Sequence, residues 1–252
     1  MLSERALRRA LERIGADAPV RFDEVTRSTQ VTALELARSG TPEWTLVAAA
    51  HQTAGRGRLD REWLDEPGRA LMFSLVLRPD LPPARGGLIP LLAGACTAGA
   101  CREVAGADAR CKWPNDVLVG GQKAGGIIAE SLVTDGRFDH VVLGVGVNLG
   151  AVPAGAPGAA ALGDVEPAAL LEAFLGAFAC RYEPAHPGFA DAVLAVYRTE
   201  CATLGRTVRA STTRGSLVEG QAVDVDETGG LVVRTREGLE TVRFGEIEHL
   251  DA

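Results

Sequence analysis

Residues 109–149 read ARCKWPNDVLVGGQKAGGIIAESLVTDGRFDHVVLGVGVNL. Within them ARCKW, VLVGG, GGIIAESLV and DHVVLGVGVNL are apolar, strand-like runs, and the joints between them are short and rich in turn residues. Joints this short make hairpins, because a parallel pair needs a crossover of about a dozen residues or more. Four hairpin-linked strands with few helices between them point to an α+β protein with a mixed or antiparallel sheet, not a doubly wound parallel one.

Working outward, residues 86–104 read as a buried helix. TLVAAAH (45–51) and LMFSLVLR (71–78) read as strands, joined by the loop QTAGRGR. Ser28 or Thr29 can cap a helix through Leu34 to Ala37, and Ala6, Leu7, Ala10, Leu11 and Ile14 stand at helical spacing in residues 3–15. On the other side, AGAPGAAALGD (154–164) reads as a loop, followed by helices over roughly 166–182 and 187–203. From Gly205 the pattern shifts to short alternating runs with Gly229-Gly230 at a hairpin turn, which predicts a small β-barrel of about fifty residues. The chain thus divides into 1–204, a mixed sheet with flanking helices, and 205–252, a barrel.

Composition narrows the function. The 252 residues, 46% hydrophobic, suffice for a large buried core, and 33 acids against 26 bases leave a net charge of −7. No general cationic field is available to hold a nucleic-acid backbone. The N-terminal MLSERALRRALERIGA is charged throughout, unlike a secretory signal or membrane anchor. The charge-free run 141–163 is broken by Asn148, Pro153, Pro157 and several glycines, so it reads as a strand followed by a loop. Five cysteines without C-x-x-C spacing indicate neither a disulfide framework nor a zinc site, and they read as reduced, mostly buried thiols.

Charge is locally uneven. Lys112 and Lys123 are the chain's only lysines and share one segment, CKWPNDVLVGGQKAGG, which suggests positions where a compact ammonium fits and a guanidinium fork does not. Residues 52–63, QTAGRGRLDREW, place Arg56, Arg58 and Arg61 among glycines that permit close backbone approach, with Trp63 as a flat stacking face. Asp60, Glu62, Asp65 and Glu66 offset those cations, so the positive charge is focal and suits a small polyanion. In KWPND, Pro114 fixes a turn, Asn115 can read an amide-like or adenine edge, and Asp116 can orient an arginine or a metal-bound water. Phosphate-loop, dinucleotide-fold, nucleophile-elbow and zinc-protease spacings are all absent, and the four histidines are scattered.

QTAGRGRLDREW, KWPNDVLVGGQKAGGIIAE and GVGVN, in this order and preceded by Ser28-Thr29-Gln30, resemble the biotin protein ligase (biotin–acetyl-CoA-carboxylase ligase) family over most of residues 22–252. The resemblance implies a catalytic domain like that of class II aminoacyl-tRNA synthetases, a C-terminal SH3-like β-barrel, and a monofunctional type. It implies joining of biotin to ATP, with Mg²⁺ carried on the ATP phosphates, giving biotinyl-5′-adenylate and pyrophosphate. The biotinyl group then passes to one lysine of a carboxylase carrier domain. It further implies a cytoplasmic monomer or weak homodimer that needs neither DNA nor membrane, and no metal site of its own.

Carried over by position, Ser28, Thr29, Gln30, Gln52, Gly55, Arg56, Gly57, Arg58, Lys123, Gly125 and Gly126 match residues around biotin, with Gln30 standing where the family commonly has asparagine. Arg56, Arg58, Arg61, Trp63, Lys112, Asn115, Asp116, Lys123 and Asn148 match residues around ATP or the adenylate. Lys123, Arg58 and Asp116 are the expected catalytic groups, and the arginine loop is expected to be a lid, among the most mobile segments without ligand. Relatives that act as repressors carry a helix-turn-helix, whereas about twenty residues precede the first matching strand here, too few for such a domain. A lipoate ligase shares the fold and the two-step chemistry but lacks GRGR followed by R-x-W. An RNA-binding module is disfavoured by the acidic total.

Overall fold

The computed structural model describes residues 2–59, 61–152, 155–156, 158–212, 216–243 and 245–250. Asp60, Pro153, Pro157 and the first residue of the 154–164 loop lie outside them. The chain runs through α1 (Glu4–Arg13), β1 (Val20–Thr26), α2 (Thr29–Arg38), β2 (Leu46–Gln52), β3 (Gly55–Arg56), β4 (Glu62–Trp63), β5 (Ala70–Leu77) and α3 (Leu88–Ala105). It continues with β6 (Ala109–Lys112), β7 (Asp116–Val119), β8 (Gln122–Thr134), β9 (Arg137–Asn148), α4 (Pro167–Ala179) and α5 (Phe189–Glu200). It ends in β10 (Thr207–Thr212), β11 (Leu217–Val225), β12 (Leu231–Arg234), β13 (Leu239–Val242) and β14 (Gly245–His249).

Seven strands form the main sheet in the order β1-β2-β5-β9-β8-β7-β6. Only β1 and β2, joined through α2, pair in parallel; β6 to β9 are antiparallel, as their hairpin joints require, and β5 pairs antiparallel with both β2 and β9. Gly120 and Gly121 take φ of 56° and 81° in the β7–β8 turn, the left-handed pair that a two-residue hairpin needs. Strand β1, which the sequence reading does not delimit, is an edge strand whose charged residues obscure its alternation.

Side chains alternate across β5, and every one of its residues is buried. Leu71, Phe73, Leu75 and Leu77 enter the main core with α1, α3 and α4, whereas Val76 meets Ala33, Leu34 and Ala37 of α2 together with Val47 and Val142. Helix α2 thus covers one end of the second sheet face, and the other end carries the site. Helix α1 is no separate unit, since Leu7, Ala10 and Leu11 lie in the main core. Pro83–Ala105 is long and apolar enough to cross a bilayer, yet it is mostly buried against α4, α5 and the sheet.

The C-terminal segment differs from expectation. It is a five-stranded antiparallel sheet, β13-β12-β11-β10-β14, not closed into a barrel. Flat, its edges would stand about 19 Å apart, whereas the chain from Val242 to Gly245 spans at most about 11 Å. The sheet must therefore curl strongly, though its edge strands share no ladder. Its 226–230 turn docks on the start of α3, where Trp113 Nε1 donates to Gly229 O at 3.0 Å and Gly87 leaves room for the Thr228 carbonyl.

Phe174 is 1% exposed, stacked on Phe178 and tilted against Phe73, so Phe174→Ala is expected to cost about 3–5 kcal/mol and lower the melting temperature by on the order of 10 °C. Leu217→Ala, at a residue 67% exposed, is expected to shift it within the scatter of surface changes. Asp226 Oδ1 accepts from Thr228 N, Thr228 Oγ1 and Gly230 N. Burial by itself raises its pKa, but these bonds and Arg243 outweigh it and hold the carboxyl below 3.8. Its contribution is therefore complete above that value and lost as pH falls through the lower folded value, so Asp226→Asn should flatten the acid limb of a stability–pH curve.

Candidate functional site

A cavity of about 220 Å³ opens on the sheet face that α2 leaves uncovered. The register builds its floor in two rows. Ser74 stands opposite Gly144, which stands opposite Ile128; Met72 stands opposite Gly146, which stands opposite Gly126. The hollow exists because these glycines lack side chains. A Cβ at Gly144 would meet Gln30 Oε1 at 2.6 Å, and one at Gly146 would meet the Trp63 ring at 2.8 Å.

The wall next to β2 and α2 is polar and uncharged. Gln52 Oε1 accepts the Thr29 N–H at 2.7 Å and lies 3.2 Å from Thr29 Oγ1. Ser74 Oγ lies 3.0 Å from both Thr29 Oγ1 and Gln30 Oε1, and Gln30 Nε2 donates to Val142 O. Gln30, predicted as a third vitamin contact, lines the cavity with its amide tied to the sheet. Ser28 holds the N-cap position of α2 but makes no side-chain cap bond. Its Oγ and Trp63 Nε1 are buried without a partner among the described residues, a cost that a polar ligand offsets.

Cations gather toward β8 and β6. Strand β8 carries a bulge opposite β7, because Val117 pairs with Gly125 and Leu118 with Lys123, leaving Ala124 over. The extra residue reverses the alternation and puts Lys123 on the cavity face with Gly126. There Lys123 Nζ lies 2.6 Å from Asp116 Oδ1, and Lys112 projects from the neighbouring strand β6. The chain between β2 and β5, predicted as the loop QTAGRGR, contains a short ladder, β3 with β4, and Arg56, Gly57, Arg58, Arg61 and Trp63 line the hollow.

Arg56 pairs with Glu130 at 3.2 Å, and Arg58 donates to Asn115 Oδ1 at 3.0 Å and to Gly245 O at 3.4 Å. Arg61 pairs with Glu246. Burial pulls the Arg58 pKa down, opposed by Glu246 and Asp116, and a guanidinium stays charged at any physiological pH regardless. The lining holds five basic side chains and three carboxylates in a chain that is acidic as a whole, so the site is a local anion receptor.

Three residues expected at the site stand outside the cavity lining. Gly55 lets β3 lie against the Trp63 carbonyl, Gly125 packs beside Gly146 O and Val117, and Asn148 donates to Ala160 O and ties the 159–162 segment to β9. That segment is hydrogen-bonded to β8 and β9 through Lys123 O and Asn148 O. Asn115 reaches the lining, yet its amide spans Ile127 O and Arg58. Met72, Ser74, Gly144, Gly146 and Glu246 join the lining without having been singled out for it. Ser74 had a signal, as the one hydroxyl inside an apolar strand, whereas nothing local in the sequence brings Glu246 to Arg61. Burial pushes the Cys96 and Cys101 thiols up to about 12, which makes them inert as nucleophiles.

Comparison with known proteins agrees with this geometry. The biotin/lipoate A/B protein ligase family profile matches residues 22–148, and that of the biotin protein ligase C-terminal domain matches residues 203–250. The biotin–[acetyl-CoA-carboxylase] ligase of Mycobacterium tuberculosis is 34% identical over 99% of this chain and 96% of its own. The bifunctional ligase/repressor BirA of Bacillus subtilis is 32% identical over 98% of this chain and 79% of its own. The solved biotin protein ligase of Aquifex aeolicus in complex with biotin and ATP superposes with a TM-score of 0.76 at 23% identity, covering 92% of this chain and 99% of that one. This chain belongs to the biotin/lipoate A/B protein ligase family.

Proposed function

We propose that this protein is a biotin–protein ligase that activates biotin with ATP and passes the biotinyl group to a lysine of the biotin carboxyl carrier domain of an acyl-CoA carboxylase. The observation that carries the reading is the polarity of one cleft. From β2 to β8 it crosses three strand spacings, about 14 Å, between an uncharged polar wall and a lysine–arginine cluster. A ureido ring suits Ser28, Thr29 and Gln52, which offer donors and acceptors without charge. A carboxylate and phosphates suit Lys123, Lys112, Arg56 and Arg58. The ligase names of the relatives support the same assignment.

In the first step a biotin carboxylate oxygen bonds to the α-phosphorus of magnesium-bound ATP. The bond from that phosphorus to the bridging oxygen breaks, and pyrophosphate leaves. Negative charge grows on the α-phosphoryl oxygens, where Lys123 and Arg58 stabilise the transition state more than the ground state. Asp116, in contact with Lys123, orients the ammonium. In the second step the acceptor amine, having lost a proton, attacks the acyl carbonyl and AMP leaves. Mg²⁺ arrives with the nucleotide as part of the substrate.

The reading places 1–204 as the catalytic unit and 205–252 as a C-terminal unit, in the cytoplasm, as a monomer or weak homodimer. The arginine loop acts as a lid that exchanges its internal partners for phosphates, and it is expected to be mobile without ligand. Arg61 and Glu246 are 66% and 39% exposed, so their pair is weak and the lid can leave the C-terminal sheet at little cost.

Lys123→Ala is expected to slow adenylate formation about 100- to 1000-fold, the ~2.7–4 kcal/mol of one oxyanion donor. Biotin-dependent pyrophosphate release at a near wild-type rate by that variant would overturn the assignment. Wild-type protein given ATP with biotin or with lipoate should release pyrophosphate only with biotin. Glu246→Ala is expected to speed tryptic cleavage within residues 56–61 about two- to fivefold, as loss of an exposed ion pair predicts, with an unchanged melting temperature.

A further inference from the structure

Asp65 stands between β4 and β5, where the lid rejoins the body of the protein, and its side chain is 0% exposed. A carboxylate taken out of water is costly unless both oxygens are engaged. Both are: Oδ1 accepts the backbone N–H of Gln52 at 3.2 Å, and Oδ2 lies 2.9 Å from His51 Nδ1. His51 and Gln52 are the last two residues of β2, where the chain leaves the sheet to enter the lid. One buried carboxylate therefore ties the outgoing stem of the lid to the returning one.

The restraint reaches the cavity through Gln52. With its backbone fixed by Asp65, the Gln52 side chain accepts from Thr29 N and Thr29 Oγ1, and Ser74 Oγ continues the contacts to Gln30. A loop tether with no further role would have no reason to end on the residue that orients the uncharged wall. Lys123, the cation of the floor, is fixed separately, by the β8 bulge and the Asp116–Lys123 pair.

We propose that Asp65 is a positioning residue for the vitamin end of the cleft: it sets Gln52, and through Gln52 sets Thr29, so that affinity for the ureido ring depends on a residue that does not line the cavity. The proposal rests on the ligase reading above. It predicts a larger loss for biotin than for ATP, because the uncharged wall hangs on Gln52, whereas Lys112 and Lys123 stand on β6 and β8, away from the Asp65 tether.

The test compares wild type, Asp65→Ala and Asp65→Asn in biotin binding without nucleotide, by calorimetry, and in steady-state KM for ATP. Asp65→Ala is expected to weaken biotin binding about ten- to a hundredfold, the loss of a hydrogen bond to a charged group, with a clearly smaller change in KM for ATP. Asp65→Asn keeps an acceptor for Gln52 N–H and offers a donor to His51 Nδ1, so it should restore binding to within about threefold of wild type. Unchanged biotin affinity in Asp65→Ala, equal losses for both substrates, or an asparagine variant as impaired as alanine would each overturn the role. If Asp65→Ala does not fold, His51→Ala carries the test: biotin binding weakened more than KM for ATP is changed supports the proposal, and unchanged binding overturns it. A wild-type protein that fails to bind biotin overturns the ligase reading itself and this inference with it.

Discussion

The site depends on a strip of missing side chains. Gly126, Gly144 and Gly146 fall on one face of β8 and β9, in register with Ser74 and Met72 of β5. Helix α2 covers only the Val47–Val76–Val142 end of that face. Elsewhere an exposed sheet face would have to be packed by another helix; here Trp63 and the Gln30 side chain approach it instead, and space remains between them. Any side chain on the strip would fill that space before a ligand could. The opposite sheet face, closed by α1, α3, α4 and the aromatic stack of Phe73, Phe174 and Phe178, carries the stability that leaves this face free to stay open.

Two kinds of fastening then meet over the strip. The stems of the lid are held by Asp65, whose carboxylate is fully buried, and such a contact is costly to break. The tip is held by exposed ion pairs and by long bonds from Arg58 to Gly245 O, which are cheap to exchange. A loop fastened this way has its weak contacts at the tip and its strong one at the base. Because Glu246 lies on β14, the C-terminal sheet meets the tip of the arginine loop, and Trp113, through Gly229, anchors that sheet to the body.

Much of this was legible in the sequence because it rests on local patterns. Short glycine-bearing joints predicted the antiparallel half of the sheet, and helical spacing found α1, α3, α4 and α5 to within a few residues. What stayed hidden depends on tertiary placement. Ser28 sits at the start of a helix as a cap would, but its hydroxyl makes no cap bond and the residue lines the cavity. Asn148 follows the glycine strip in sequence yet is spent on Ala160. The curl of the C-terminal sheet stops short of closure, which alternation alone cannot reveal because a barrel strand and an open-sheet strand alternate alike.

The β8 bulge explains why the sequence keeps lysine at 123 in a chain that otherwise prefers arginine. The extra residue, Ala124, turns 123 onto the cavity face beside Gly126, where an added Cβ would lie only 3.8 Å from Nζ. The ammonium thus rests close against the sheet and still reaches Asp116 at 2.6 Å. A guanidinium is planar and wider, with its donors set in a fork, so in the same place it would meet the strand or project past Asp116 into the room a substrate needs. The arginines stand where the opposite is wanted, on the lid, whose reach across the cavity to Asn115, Gly245 and Glu246 uses the length and the multiple donors of the fork. Compact charge is built into the sheet floor and extended charge into the loop that covers it, the division that the proposed grip on a phosphate calls for.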